Sequence, residues 1–342
     1  MYRLLIIIAA GLASLILSAA PASAQFFWNG RLREGPALRS ARSASGANER
    51  VMAPSRIEPI SWEERNVVGE PVAFDWDRHQ RGDEGLVYED EWHVQILPEG
   101  LVYRPYLAVV NQPRFSAHIV GEKDDGWLFD AALGSQVGLW RWGTLDNNMP
   151  EGWQIDAEGV AFLRLDIPEN LDVRSADFRA GVPVSYACGR HRTRFGYYHL
   201  SSHLADEFLL KNPGFPRLNY SRDVLLLGHS FYFREDSRIY GEAGWAFKSD
   251  VSKEWEFILG LERAPVRPTG IRGAPFYAVN VHLREEVDFG GTFTAQAGWA
   301  WRGDRSGRLL RMGVHYLNGK SPQFSFFNTF EHQIGFGVWY DF

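Results

Sequence analysis

The densest set of reactive side chains in the sequence is found in HLSSHLADE, which begins at His199. His199 and Ser201 are two residues apart, a spacing that puts both side chains on one face of a β-strand with Cα atoms about 6.6 Å apart. At that separation an imidazole can take a proton from a hydroxyl group, provided that a third group orients the ring. Asp206 and Glu207 follow closely and are candidates for that third group. The spacing is therefore compatible with a serine nucleophile and its histidine base.

The same stretch also has to be considered as a metal site. His199 and His203 are four residues apart, and on one helix face both could bind a single zinc ion. On a strand the two residues lie about 13 Å apart and cannot share an ion. Since the surrounding pattern is that of a strand, we expect neither a metal nor any other cofactor here. Asp206 and Glu207, in the loop that follows, remain an alternative cation site.

The elements that must position these residues are strands. From about Gly100 onward, apolar and polar side chains alternate in segments of about ten residues separated by turn residues. Each segment is about as long as a tilted strand that crosses a bilayer. The clearest segments are residues 153–164, 178–186, 254–263, 276–286 and 291–301.

Three features favour a membrane barrel over a soluble β-sandwich, which would also show alternation. Aromatic residues cluster near segment ends, the polar faces carry charges of both signs, and the chain stops at the alternating run IGFGVWYDF. We therefore predict an all-β fold, an antiparallel transmembrane β-barrel of about 12 strands, within a range of 10–14. Residues 91–97 and 101–110 would supply the two extra strands of a 14-stranded ring.

Composition limits the partners that the chain can have. Aromatic residues make up 14% of it, yet the mean hydropathy is only -0.27, which suits strands with one apolar and one polar face. The net charge of -6 and the pI near 6.0 give no support for nucleic-acid binding. Cys188 is the only cysteine, so an internal disulfide is excluded. The expected partners are outer-membrane lipid and the barrel-insertion machinery, with a small solute or lipid as an unidentified ligand.

The N-terminal region has a different character. Arg3, the apolar run from Leu4 to Ala20 and the Ala-Ser-Ala before Gln25 predict a cleaved signal peptide over residues 1–24, with an uncleaved membrane anchor as the alternative. Residues 25–90 include a stretch rich in Ser, Ala, Arg and Gly without periodicity, which predicts a flexible periplasmic extension. Residues 91–342 form the predicted barrel, and we expect export to the bacterial outer membrane.

The polar faces of the strands predict a lumen lined by mutually satisfied charges. In this interpretation the protein is not an enzyme, and its polar lumen passes or binds a small solute. The alternative is a lipid or lipopolysaccharide acyl hydrolase that uses His199 and Ser201. The residues predicted to line the lumen or bind a ligand are His203, Asp156, Glu158, Arg179, His282, Arg284, Glu286 and Arg311.

Counting strands back from Phe342 puts the end of the strand at 191–203 near the outer-leaflet rim, followed by a long outer loop. The facing pattern of Tyr198, Leu200 and Leu204 suggests that His199, Ser201 and His203 point into the lumen, whereas Phe195 and Tyr197 on the histidine face argue for the opposite orientation. We therefore expect His199, Ser201 and His203 to face the lumen, with the outward orientation as the alternative.

The His-x-Ser pair resembles the dyad of outer-membrane phospholipase A and of outer-membrane lipid A deacylase. Those barrels complete the site with an Asn or a Glu on a neighbouring segment and expose it to lipid at the level of the outer leaflet. Here Ser202 follows the candidate nucleophile, where those enzymes have an Asn.

Longer runs resemble domain-of-unknown-function family 1207, a family of exported bacterial proteins. They are HLSSHLADEFLL, NPGFPRLNYSRD, RGAPFYAVNVHLREEVDFGG and QIGFGVWYDF, with EGWQIDAEG and SADFRAGVPVSY upstream. The resemblance covers roughly residues 90–342 and implies a β-rich protein of the outer membrane. It implies no activity, substrate or catalytic residue.

Overall fold

The computed structural model describes residues 92–304 and 306–342. The predicted signal peptide (1–24) and the predicted extension (25–90) lie outside the described residues. The described elements, in chain order, are β1 (His93–Ile96), β2 (Phe115–Glu122), β3 (Gly126–Gly143), β4 (Gly152–Asp166), β5 (Asp172–Cys188), β6 (His191–Leu204), α1 (Asp206–Lys211), β7 (Tyr220–Arg234), β8 (Ser237–Ser249), β9 (Trp255–Arg263), β10 (Ala274–Arg284), β11 (Gly291–Arg302), β12 (Leu309–Lys320) and β13 (Phe330–Asp341), with short 3-10 helices at Glu285–Val287 and Phe324–Phe326.

Twelve of these strands form one closed ring. Each strand from β2 to β13 pairs antiparallel with the next, and β13 pairs with β2 to complete the circle. The prediction of an antiparallel barrel of about 12 strands is confirmed. The short strand β1 lies outside this ring count, because it pairs only with the end of β3 that extends beyond β2. No helix among the described residues is long and apolar enough to cross a membrane.

The alternation in the sequence corresponds to the two faces of the barrel wall. On β12, Arg311 and His315 are buried inside, while Met312 and Val314 are exposed on the outside. Side chains alternate because the strand is pleated, so a strand between lipid and a polar interior needs this pattern. Aromatic side chains are exposed on the outer face near both ends of the strands: Trp142, Trp153 and Trp299 at one end, and Trp127, Trp255 and Phe330 at the other.

The two ends of the barrel differ in their connections. The terminal end, where β2 begins and β13 ends, carries residues 144–151, 189–190, 235–236, 264–273 and 303–308. The loop end carries residues 123–125, 167–171, 205–219, 250–254, 285–290 and 321–329.

The inside of the barrel is occupied by the chain itself. Residues 101–114, here called the inner segment, have no helix or strand and are almost entirely buried. Side chains of the wall form hydrogen bonds with the backbone of the inner segment. Arg238 donates to the Pro105 carbonyl at 2.8 Å, and Glu262 accepts from the Leu107 amide at 2.8 Å. The prediction of a strand at residues 101–110 is therefore wrong, because these backbone groups pair with charged side chains of the wall instead of with a neighbouring strand.

A second segment fills the loop end. Residues 321–329, here called the infolded loop, turn inward, and Phe324 packs against Tyr220 with ring centroids 5.1 Å apart. The infolded loop meets the inner segment where Asn111 Nδ2 donates to the Pro322 carbonyl at 2.9 Å. Two cavities between the inner segment and the wall measure about 40 and about 10 Å³. Such volumes hold no more than a few water molecules.

Candidate functional site

His199, Ser201 and His203 lie on the outer face of β6. The residues that alternate with them, from Arg192 to Leu204, are the buried ones. The preference for a lumen-facing orientation is therefore wrong, and His203 is not a lumen residue. Its exposed ring lies outside the barrel beside Phe178, with centroids 6.2 Å apart.

The reversal has a physical cause at the loop end. There the infolded loop places Phe324 in an apolar cluster with Tyr198, Leu200 and Tyr220, while the buried pair of Ser202 and Asp177 keeps part of the interior polar. The inward positions near the end of β6 are mostly hydrophobic (Tyr198, Leu200 and Leu204), and Ser202 is the polar exception. On other strands polar residues face inward at this end too, for example Arg164, Arg284 and Glu331, so the rule that polar residues face inward fails only near the end of β6.

His199 is held by a carboxylate from the neighbouring strand. Its Nδ1 lies 2.8 Å from Oδ1 of Asp223 on β7, the residue directly opposite in the strand register. The Tyr197 hydroxyl donates to the same oxygen at 2.7 Å. Because an ionised carboxylate can only accept, Nδ1 carries the proton and Nε2 of the neutral ring keeps its lone pair. This is the tautomer in which histidine acts as a general base.

Ser201 is the next hydroxyl along this face of β6, and no hydrogen bond joins it to His199 among the described residues. It is on the same face as His199, is half-buried, and is paired in register with Phe178 on β5 and Ser221 on β7. Its hydroxyl makes no hydrogen bond to any described residue. A hydroxyl with no partner is free to rotate toward an imidazole, and such contacts often tighten only when substrate binds.

The orienting acid is different from the one expected. Asp206 and Glu207 lie on α1, above the strand, and the Glu207 carboxylate accepts from the Val173 amide at 2.9 Å. Asp223 takes the role next to the histidine ring, and sequence reasoning missed it because it lies 24 positions further along the chain. Only the register of β6 with β7 brings Asp223 opposite His199. An acidic residue at an outward position of the next strand was the signal available in the sequence.

Helix α1 is tied to the strands below it. Lys211 Nζ lies 2.7 Å from Asp172 Oδ2 and 2.6 Å from Glu169 Oε2. Hydrogen bonds to these two carboxylates raise the pKa of Lys211. These contacts hold the helix against the start of β5 and the loop before it.

The other predicted lumen residues do lie inside the barrel, where they pair with one another or with neighbours. Arg179 contacts Glu158, with Nη2 2.8 Å from Oε1. Asp156 accepts from Gln136 at 2.9 Å. Further inward-facing pairs are His282 with Glu256 at 2.9 Å, Arg284 with Glu286 at 3.0 Å and Arg311 with Asp341 at 2.7 Å. The charges of the wall are thus used largely for each other and for the inner segment.

No group of three or more His, Cys, Asp or Glu side chains within residues 92–304 and 306–342 is arranged to hold a metal ion.

The closed ring, the polar interior and the apolar exterior define an antiparallel β-barrel of the outer-membrane type. The chain belongs to the family described as "Protein of unknown function (DUF1207)", whose sequence model matches residues 89–342. The resemblance noted in the sequence is confirmed.

Solved structures with a related fold include two kinds of barrel. A KdgM porin is 11% identical, with 66% of this chain and 99% of that chain covered and a TM-score of 0.38. Outer membrane phospholipase A from Escherichia coli is 11% identical, with 66% and 91% covered and a TM-score of 0.43. The Salmonella typhi outer membrane phospholipase dimer with bound calcium is also 11% identical, with 69% and 93% covered and a TM-score of 0.44. These similarities are too weak to carry an argument about function. A comparison with curated proteins gave no match.

Proposed function

We propose that this protein is an outer-membrane acyl hydrolase that cleaves ester bonds of membrane lipids at the outer surface of its barrel. The observation that carries the proposal is the hydrogen bond between Asp223 and His199 on the outer face, with Ser201 two residues further along the same strand. Asp223 orients the ring, His199 is the base and Ser201 is the nucleophile.

The reaction follows from these roles. As Ser201 Oγ bonds to the acyl carbon, its proton passes to His199 Nε2 and the carbonyl electron pair moves to oxygen. Collapse of this intermediate breaks the ester bond, and the leaving alcohol takes the proton from His199. Water then attacks the acyl-serine, loses a proton to His199 and releases the fatty acid, while the proton returns to Ser201.

The height of the site on the barrel supports a lipid substrate. His199 is eight residues beyond His191, which begins β6 at the terminal end. At about 3.3 Å per residue and a tilt of about 40°, this places His199 about 20 Å above that end. The apolar band of an outer-membrane barrel is about 25 Å tall. If the terminal end faces the periplasm, the site is at the outer-leaflet interface, where lipid esters lie.

The filled interior gives less support to solute passage. The inner segment and the infolded loop occupy the space that a solute would need, and the cavities of about 40 and about 10 Å³ are close to the size of water. Solute passage or binding stays a prediction, and conductance in planar bilayers tests the passage. Export through a cleaved signal peptide and insertion by the barrel machinery remain part of the proposal.

The test compares purified native protein with Ser201→Ala on phospholipid and on lipopolysaccharide in mixed micelles, with and without calcium. We expect native protein to release fatty acid and Ser201→Ala to lose at least about 10³-fold in kcat, as removal of a nucleophile does. Ser221→Ala is the matched control, since it removes a hydroxyl from the outer face directly opposite Ser201. Equal rates for native and Ser201→Ala would remove Ser201 from the mechanism, and equal loss in both variants would point to the surface instead of the nucleophile.

A further inference from the structure

A β-bulge lies beside the proposed site. β7 and β8 pair with a shift in register, in which Asp223 is opposite Lys248 and Val224 is opposite Ala246. Phe247 is therefore the extra residue on β8. Bulges change the direction of side chains and are common next to active sites.

The bulge decides where Lys248 points. Ala246 is buried inside the barrel, while Phe247 and Lys248, although adjacent, are both exposed. In a regular strand Lys248 would share the inward face of Ala246, because faces repeat every two residues. The extra residue instead turns Lys248 outward, into the row that contains Asp223 and His199.

Asp223 does not neutralise this cation by direct contact. The Asp223 carboxylate is hydrogen-bonded by His199 and Tyr197. Within the part of the chain that the structure describes, Lys248 Nζ forms no ion pair within 4.0 Å, although its charge acts on the neighbouring Asp223. The side chain is thus a positive charge on the outer face that has no ion-pair partner there.

The distance to the nucleophile suits a lipid headgroup. Lys248 is two strands away from His199 and Ser201 is two residues beyond His199, so the Cα atoms of Lys248 and Ser201 are about 12 Å apart. A lysine side chain reaches over a large part of this gap, leaving its ammonium a few ångströms from an ester held at Ser201. Ammonium groups bind phosphate as point charges.

We infer that Lys248 binds the phosphate of the lipid whose acyl ester is cleaved at Ser201, so that the substrate class is phosphate-bearing lipids and not neutral glycerides. This inference rests on the proposed hydrolase function. The phosphate belongs either to a glycerophospholipid or to a phosphorylated glycolipid of the outer leaflet, and the two sources share the same chemistry at Lys248.

The kinetic test uses native protein, Lys248→Gln, Lys248→Arg and the control Lys253→Gln. Lys253 is another loop-end lysine, and its ammonium lies 3.5 Å from Asp288. The substrates are phosphatidylglycerol, diacylglycerol and lipopolysaccharide in the same neutral detergent. We expect Lys248→Gln to raise KM about tenfold on one or both phosphate-bearing lipids, with kcat nearly unchanged and no effect on diacylglycerol. Lys248→Arg should restore KM, and Lys253→Gln should behave as native.

A binding measurement separates this inference from the reaction itself. In the Ser201→Ala background, native mass spectrometry counts bound phosphatidylglycerol, lipopolysaccharide and diacylglycerol with and without Lys248→Gln. Selective loss of phosphate-bearing lipid supports the inference, and unchanged binding overturns it. Equal KM changes on diacylglycerol and phosphatidylglycerol would also overturn it while leaving the hydrolase proposal intact. If native protein cleaves none of the three lipids, the proposed function fails and this inference fails with it.

Discussion

At the scale of single residues, the state of one histidine decides what the outer face can do. A His-x-Ser pair on a strand has no defined tautomer, and a base is useful only if its lone pair points away from the group that orients it. Asp223 supplies that orientation from β7, and Tyr197 donates a second hydrogen bond to the same oxygen. The carboxylate thus has satisfied contacts in both the resting and the protonated state of the ring.

Asp223→Asn tests this role of the carboxylate. An amide can donate to Nδ1 and stabilise the wrong tautomer, so we expect kcat for ester hydrolysis to fall by about 10²–10⁴-fold with little change in KM. Tyr197→Phe is the control, because it leaves the carboxylate and its contact with His199 in place, and it should cost less than about tenfold. Initial rates on the best lipid substrate measure both. Equal activity of Asp223→Asn and native protein would show that Asp223 does not orient the base.

At the scale of elements, the inner segment gives the polar side chains of the wall a structural role. Its carbonyl groups accept from charged side chains of several strands: Arg238 binds Pro105, Arg311 binds Leu107 and Arg179 binds Asn111. A segment without secondary structure has backbone groups that must be paired when buried. The charges that predict a hydrated lumen in the sequence therefore serve partly as hydrogen-bond partners for a buried stretch of chain.

Because the inner segment fills the lumen, we predict that the barrel does not conduct ions. We expect native protein to be silent in planar bilayers, and replacement of residues 101–112 by a Gly-Ser stretch of equal length to produce ion conductance. The altered segment has no aromatic or aliphatic side chains to pack against Tyr240 or Trp339, which in the native protein lie beside Tyr106 and Leu107 respectively.

The same experiment can contradict the filled interior. Closure of the ring in the replaced protein is checked first, by its resistance to unfolding in SDS at room temperature, so that a misfolded barrel is not mistaken for a silent one. Steady conductance of the native protein equal to that of the replacement would show that the inner segment does not block the lumen, and would favour solute passage.

At the scale of the whole molecule, the direction of the barrel in the membrane decides whether the site meets the outer leaflet. Both ends of the ring lie at the terminal end, and in bacterial barrels this end faces the periplasm. We therefore expect the exposed Cys188, next to the turn at 189–190, to face the periplasm and Leu210 on α1, which is 82% exposed, to face the outside.

Labelling of intact cells tests this direction. With a membrane-impermeant maleimide, a Leu210→Cys protein in a Cys188→Ser background should be labelled in intact cells, because α1 lies at the loop end. The native protein, with only Cys188, should be labelled only after the outer membrane is permeabilised. The reverse labelling pattern would show that the barrel has the opposite orientation in the membrane, with His199 and Ser201 in the inner leaflet.

The sequence alone determined the class of the fold. Alternation over segments of about ten residues follows from the pleat of a strand between two solvents, and it is a local property that each strand carries by itself. The approximate number of strands, the inward charges such as Arg311 and the terminal run of β13 were therefore predictable. The conformation of residues 101–110 was not predictable, because a buried segment held by side chains of the wall needs no periodic pattern in its sequence.

Tertiary structure decided the candidate site. His199 and Ser201 could be found from their spacing, but their outward orientation is defined only in the closed ring, where Phe324, more than 100 residues further along, packs inside with Tyr198 and Leu200. Asp223 and Lys248 joined the site through strand register and a one-residue bulge, and a shift of one residue moves a side chain from one side of the wall to the other. The alternation of polar and apolar residues is a property of each strand alone. Which face points inward, and which side chains of different strands meet, is defined only when the ring has closed.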